Sequence, residues 1–136
     1  MKKILAVALF LAASPIFSQN QIRFEHISVE DGLSQSAIKS MVQDEFGYLW
    51  IGTLDGLNKY DGNKFYVFQN HSDDPSSIPR NDIHKLFIDD NQTLWISTVN
   101  YLSRFVTDRN AFINYRFTSD LVKNGIVVND LYHESD

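Results

Sequence analysis

The chain has 136 residues, 43% hydrophobic and 21% charged, which is ordinary globular composition and excludes low-complexity and fibrous classes. Its formal net charge is −5 with no run of Lys and Arg, which argues against a nucleic-acid surface or a basic helix lying on a membrane. Cysteine is absent, so neither a disulfide framework nor a lipid-modified cysteine is available.

Met1-Lys2-Lys3, a short apolar run over 4–13 and a break at Ser14-Pro15 have the layout of a secretory signal. A membrane-spanning helix needs about 20 apolar residues, and this run is about half that. Residues 1–18 are expected to be a signal cleaved between Ser18 and Gln19, with the mature chain exported to the periplasm or beyond. In 19–32, Phe24-Glu25-His26-Ile27-Ser28-Val29 alternates apolar and polar residues, and Glu30-Asp31-Gly32 follows with turn chemistry. An N-terminal strand is expected here, closing the last sheet of a ring, since its edge would otherwise be unpaired.

From residue 33 the chain repeats itself. Tyr48-Leu49-Trp50-Ile51-Gly52-Thr53 returns as Thr93-Leu94-Trp95-Ile96-Ser97-Thr98, an offset of 95 − 50 = 45 residues. The same shift puts Ile38 on Ile83, Asp44 on Asp89, Leu57 on Leu102 and Tyr60 on Phe105. A period of about 40–45 residues with one Trp-bearing strand per copy marks β-propeller blades, each a four-stranded antiparallel sheet. The fold class read from this is all-β, an incomplete propeller of about two and a half blades where a closed ring takes roughly four to eight.

The first blade is assigned to 33–77, with strands at 37–42, 48–53, 57–60 and 65–68. Its Asp61-Gly62 is the strongest hairpin signal in the chain. Polar residues 69–77 cross from the outside of this blade to the inside of the next, assigned to 78–122 with strands at 82–88, 93–98, 102–105 and 112–117. A third copy begins in 123–136, with a first strand at 127–133 and a turn at Glu134-Ser135-Asp136, so the chain is expected to be a fragment of a longer protein.

The expected core is Ile38, Leu49, Trp50, Ile51, Leu57 and Tyr60 in the first copy and Ile83, Leu94, Trp95, Ile96, Leu102 and Phe105 in the second. Asp44, Gly47, Gly52, Gly56, Gly62 and Asp89 are the turn positions of the repeat. The second copy has lost its glycines: Gln92 replaces Gly47, Ser97 replaces Gly52 and Tyr101 replaces Gly56. Gln92 and Tyr101 must hold a strained positive φ or adopt different turns, and the second blade is expected to be the more irregular.

Trp50 and Trp95 lie at the centres of apolar strands, so packing between blades outweighs a sugar-stacking role. Tyr101, in a loop where the first copy has Gly56, is the one ligand-binding candidate. Asp89-Asp90-Asn91 offers oxygens to Ca²⁺, but such a site wants about six to eight ligands, and turn formation is the simpler reading. His26, His71, His84 and His133 show no metal-ligand spacing. The stretch from Asp89 to Trp95 has a likeness to the Asp-box turn of sialidase-type propellers. Glycoside hydrolysis, however, needs two carboxyls about 5–10 Å apart, and nothing places these turn carboxylates in one cleft. With no Cys nucleophile, Gly-rich phosphate loop or Ser-His-Asp arrangement recognisable, no catalytic, cofactor or metal residue is assigned.

The strand, Asp44, Gly47, Leu49-Trp50-Ile51-Gly52-Thr53, Gly56-Leu57 and Tyr60 together resemble the two-component regulator propeller repeat. The link Asp74-Pro75-Ser76-Ser77-Ile78 and the opening Ile27-Ser28-Val29-Glu30-Asp31-Gly32-Leu33-Ser34 are similar to that family too, so the resemblance covers nearly all of 24–136. It implies a periplasmic sensor region of one or two propellers of about seven blades, then a small β-sandwich, one membrane span and a cytoplasmic histidine kinase with receiver and DNA-binding modules. It also implies an oligosaccharide ligand and control of the genes for its use. None of the four histidines lies in a helix matching the phosphorylated His motif, so kinase activity is expected of a longer parent and not of this chain. The expected partners are an oligosaccharide and either the remaining blades of a longer chain or a second sensor chain. No nucleic acid is expected, and contact with the membrane comes only through the missing C-terminal part. Two alternatives stay open: the N-terminal part of a secreted propeller enzyme, lyase or glycosidase, and a truncated remnant whose open strand edges recruit identical chains.

Overall fold

The computed structural model describes residues 24–118 and 125–131. The signal over 1–18, its cleavage point at Ser18 and Gln19, and the turn at 134–136 lie outside the described residues. Two four-stranded antiparallel sheets follow one another, each with its strands in chain order. The first blade is β1 (Ile38–Gln43), β2 (Leu49–Thr53), β3 (Gly56–Tyr60) and β4 (Phe65–Phe68). The second is β5 (Lys85–Ile88), β6 (Leu94–Thr98), β7 (Tyr101–Val106) and β8 (Ala111–Arg116). This order puts the β1–β2 and β3–β4 turns of each blade at one end and the β2–β3 turn and the link to the next blade at the other.

Aspartates set three of the turns. Asp44 Oδ1 accepts the amides of Phe46 and Tyr48 at 3.1 and 2.9 Å, and Asp61 Oδ1 accepts those of Asn63 and Lys64, both at 2.9 Å. Asp89 Oδ1 accepts the amides of Asn91 and Thr93, also at 2.9 Å. A side-chain oxygen thus takes donors that the turn would otherwise leave open.

The core is the seam between the blades. Trp50 and Leu57 of the first meet Ile78, Ile83, Leu86, Leu94, Ile96, Phe105 and Phe112 of the second. Trp50 is 2% exposed, with ring centroids 5.9 Å from Phe68 and 4.9 Å from Phe105. Each such buried side chain contributes about 1.5–3 kcal/mol of transfer free energy. Leu49, Tyr60, Trp95 and Leu102 are half-buried. Gly52 is the point of closest approach, where a Cβ would meet Ile83 Cγ2 at 2.5 Å.

The two joints differ in part. The Ile83 amide donates to the backbone carbonyl of Thr53 at 2.9 Å and the Leu86 amide to Ser40 Oγ at 3.0 Å. At the next joint the Val128 amide donates to Ser97 Oγ at 3.0 Å. Asn100 grips Ile126 there with both its amide and its side-chain oxygen, at 2.7 and 2.8 Å.

Several expectations are corrected. Residues 24–29 hold no strand: 24–28 are irregular, and Val29–Asp31 is a 3-10 turn capped by Ser28 and Asp31. The segment leads into Leu33 and Ser34, and Ser34 bonds to Asn58, so its place is that of a link entering a blade. The second blade is the more irregular in its turns, which hold the three positive-φ residues other than glycine among the described residues, Gln92, Asn100 and Asn110, but not in its strands. Its strands pair in continuous register, while β1 against β2 shifts between Ile38 and Ser40. Gln92 does hold a positive φ of 60°, but at Tyr101 the turn changes and Asn100 carries it at 66°. The inner strand of the second blade starts at Lys85 and not at 82. Residues 127–131 form no strand, and 132 and 133 lie outside the described residues. Ile38, expected in the core, is 51% exposed, whereas its counterpart Ile83 is fully buried. Ile83 is pressed against Gly52 of the first blade, and no sheet among the described residues does the same for Ile38.

Candidate ligand groove

The Asp and Trp of each repeat form a single device. Asp44 Oδ2 accepts Trp50 Nε1–H at 2.8 Å, and Asp89 Oδ2 accepts Trp95 Nε1–H at the same distance. Each carboxylate therefore fixes a hairpin with one oxygen and the next strand's indole with the other. Burial pulls the Asp89 pKa up, but the Trp95 indole and the amides of Thr93 and Asn91 outweigh it and hold the group below the ordinary carboxylate value. The clasp fixes the edge of each indole, and Trp50, buried between the blades at 2% exposed, has no face left for a ligand. The sequence reading separated the two residues into turn and core. Their common spacing of 50 − 44 = 95 − 89 = 6 was the signal that joins them.

Beside the first clasp a groove of about 700 Å³ opens between the blades, at the end that carries the aspartate turns. Phe46, Tyr48 and Lys59 line it from the first blade, and Asn91, Gln92 and Asp108 from the second. Hairpin geometry lifts Phe46 to the lip, 72% exposed, with its ring centroid 6.5 Å from that of Tyr48. Lys59 stands across from Trp50 in the sheet, and its Nζ lies 3.8 Å from the Tyr48 ring centroid. Charges of both signs border the space: Lys59 and Arg104 against Asp44, Glu45 and Asp108.

Tyr101 is not part of this groove. It is half-buried at the start of β7, paired with Thr98 and Arg116 at the opposite end of the blade. Trp50, Leu57, Ile83, Leu94, Ile96 and Phe105 are brought together in the seam. Among the described residues no three His, Cys, Asp or Glu side chains gather to hold a metal, and no helix is long and apolar enough to cross a membrane.

A sequence profile described as "Two component regulator propeller" matches residues 32–55. "Histidine kinase P4" of Formosa agariphila is 44% identical over 69 residues, 51% of this chain and 5% of that protein. The extracellular domain of the putative hybrid two component system BT3049 from B. thetaiotaomicron has a similar structure, with TM-score 0.63 and 29% identity over 80% of this chain and 15% of that one. The extracellular domain of the putative hybrid two component system BT4673 from the same organism shares the fold at TM-score 0.59 and 21% identity, over 76% of this chain and 15% of that one. The chain thus spans about a twentieth of the curated relative and about a seventh of each solved domain.

Proposed function

We propose, from the premise that this chain belongs to the two-component regulator propeller family, that it forms blades of an extracytoplasmic sensor in a hybrid two-component signalling protein. The observation that carries the reading is the match, over 80% of this chain at 29% identity, to an extracellular domain of such a system. The ligand is an oligosaccharide released from a polysaccharide under degradation, and the output is expression of the genes for its use. Export by the N-terminal signal places the blades outside the cytoplasm. Kinase chemistry sits elsewhere in the longer protein, and these blades act by binding alone. A ligand that fits one arrangement of two sensor chains better than another shifts the pair toward that arrangement by its differential affinity. The aromatic lip and polar walls of the inter-blade groove support a sugar as the ligand class.

The test is the reading frame downstream of the Asp136 codon. The expected frame runs through further copies of the 45-residue unit to a membrane span and a kinase. A frame that closes the ring and stops without a span would overturn the sensor reading in favour of a secreted propeller protein.

A further inference from the structure

We infer that the groove beside the Asp44–Trp50 clasp is a subsite for a neutral sugar ring, with Phe46 as its stacking platform. This inference rests on the oligosaccharide reading above and adds a place and a charge class to it. Phe46 is 72% exposed at the lip, an aromatic face that its own hairpin does not cover. The C–H face of a pyranose is the flat apolar surface that such a ring accepts.

Tyr48 does not compete for the role, because Lys59 Nζ already stands 3.8 Å from its ring centroid. That ammonium is a donor placed beside the platform, where a ring hydroxyl can accept from it. Opposite, Asn91 and Gln92 carry amides that both donate and accept, and the Asp108 and Glu45 carboxylates accept. Hydroxyls, which also donate and accept, match such a rim.

The charge class follows from the same residues. Asp44 is already taken up by two backbone amides and the Trp50 indole. Those donors are neutral and leave its charge in place, so Asp44, Glu45 and Asp108 stand against Lys59 and Arg104 and the groove carries one more negative charge than positive. A sulfated or polyuronic chain would meet that excess of negative charge, whereas a neutral ring meets no net repulsion.

The experiment is hydrogen exchange read by mass spectrometry on the full-length sensor protein proposed above, with isothermal titration calorimetry alongside. The probes are cellotriose, xylotriose, maltotriose and, as the acidic counterpart, trigalacturonate. A neutral trisaccharide is expected to bind and to protect the peptides containing 44–48, 91–93 and 106–108, leaving 54–56 and 99–101 unchanged. Phe46→Ala, at an exposed position, is expected to weaken that binding by about tenfold or more, in line with ring stacking on an aromatic, while the thermal midpoint stays the same. Protection confined to 54–56 and 99–101, unchanged affinity in Phe46→Ala, or preference for trigalacturonate would overturn this inference and leave the oligosaccharide reading standing. Absence of binding by all four probes would count against both.

Discussion

Asp89 holds three donors at once: the amides of Asn91 and Thr93 and the indole of Trp95. These bonds keep its pKa below the ordinary value in the folded chain despite the opposing effect of burial. A depressed folded pKa means that the clasp adds stability which is complete above the unfolded carboxylate range of about 4, and which is lost as pH falls through the lowered value. Asp89→Asn keeps an oxygen for the amides but turns an NH₂ group toward the indole. Its melting midpoint should be lower at neutral pH and fall less steeply between about pH 5 and 2. Circular dichroism across that range decides, and parallel acid limbs in the two proteins would contradict the clasp. A second pair separates two threonines. The Thr53 hydroxyl lies 2.9 Å from Ser34 Oγ, donates to Gly56 O at 3.0 Å and accepts the Asp55 amide at 3.0 Å. Thr98 Oγ1 is buried with no partner among the described residues, because Pro79 stands one period after Ser34 and the following turn is different. Thr53→Val should cost about 1–3 kcal/mol in urea melts, and Thr98→Val should be near neutral or stabilising.

At the scale of the element, Gly52 lets the sheets meet. Gly52→Ala sets a Cβ 2.5 Å from Ile83 Cγ2 and 3.0 Å from Ile83 Cβ, so it should destabilise the chain by about 1–3 kcal/mol. Ile83→Ala alone should cost about 2–5 kcal/mol through the cavity it leaves. The double variant should lose less than the sum of the two, since the clash and the cavity share one space. Strict additivity in chemical denaturation would show that the joint is not packed as described. The strands and their turns were legible because alternation, Gly-bearing turns and a 45-residue echo all act locally along the chain. Residues 24–29 misled for the same reason: they alternate like a strand. Sliding them by the period lays 24–32 on 69–77, the polar link, which is the role they play. Ile38 shows the other limit. Periodicity assigns a residue to a face, but whether a second sheet covers that face is decided elsewhere in the chain. The groove was illegible on the same ground, since Phe46 and Asp108 become neighbours only when the two blades dock.

On the scale of the whole molecule, two sheet faces carry apolar residues with no sheet against them among the described residues. Met41 is 56% exposed on the first blade and Tyr115 44% on the second. Repeat units of this kind gain their stability from neighbours, and large uncovered apolar faces drive association. The 136-residue chain in isolation should melt broadly or self-associate, as read by sedimentation velocity and denaturation followed by two probes. The variants above are therefore compared within the longer protein proposed to supply the remaining blades. A sharp two-state transition from a monomer would show that two blades are sufficient by themselves.

The two joints share a grip on the incoming segment: Asp55 and Gly56 hold Asn81 in the first, and Asn100 holds Ile126 in the second. They differ beside it, where the Ile83 amide meets the Thr53 carbonyl and the Val128 amide the Ser97 hydroxyl, and this bears on how a chain of copies finds its own order. Near-identical units invite a slip in which the third copy settles where the second belongs. Here the landing places are addressed. The incoming segment at 125–131 is received by Ser97 and Asn100, and the first blade offers Gly52 and Asp55 at those two positions. Replacement of Gly52 by Ser97 therefore has a second consequence: the hydroxyl that fills the place of the close approach also gives the next segment a hydrogen-bond acceptor that the first blade lacks at that position.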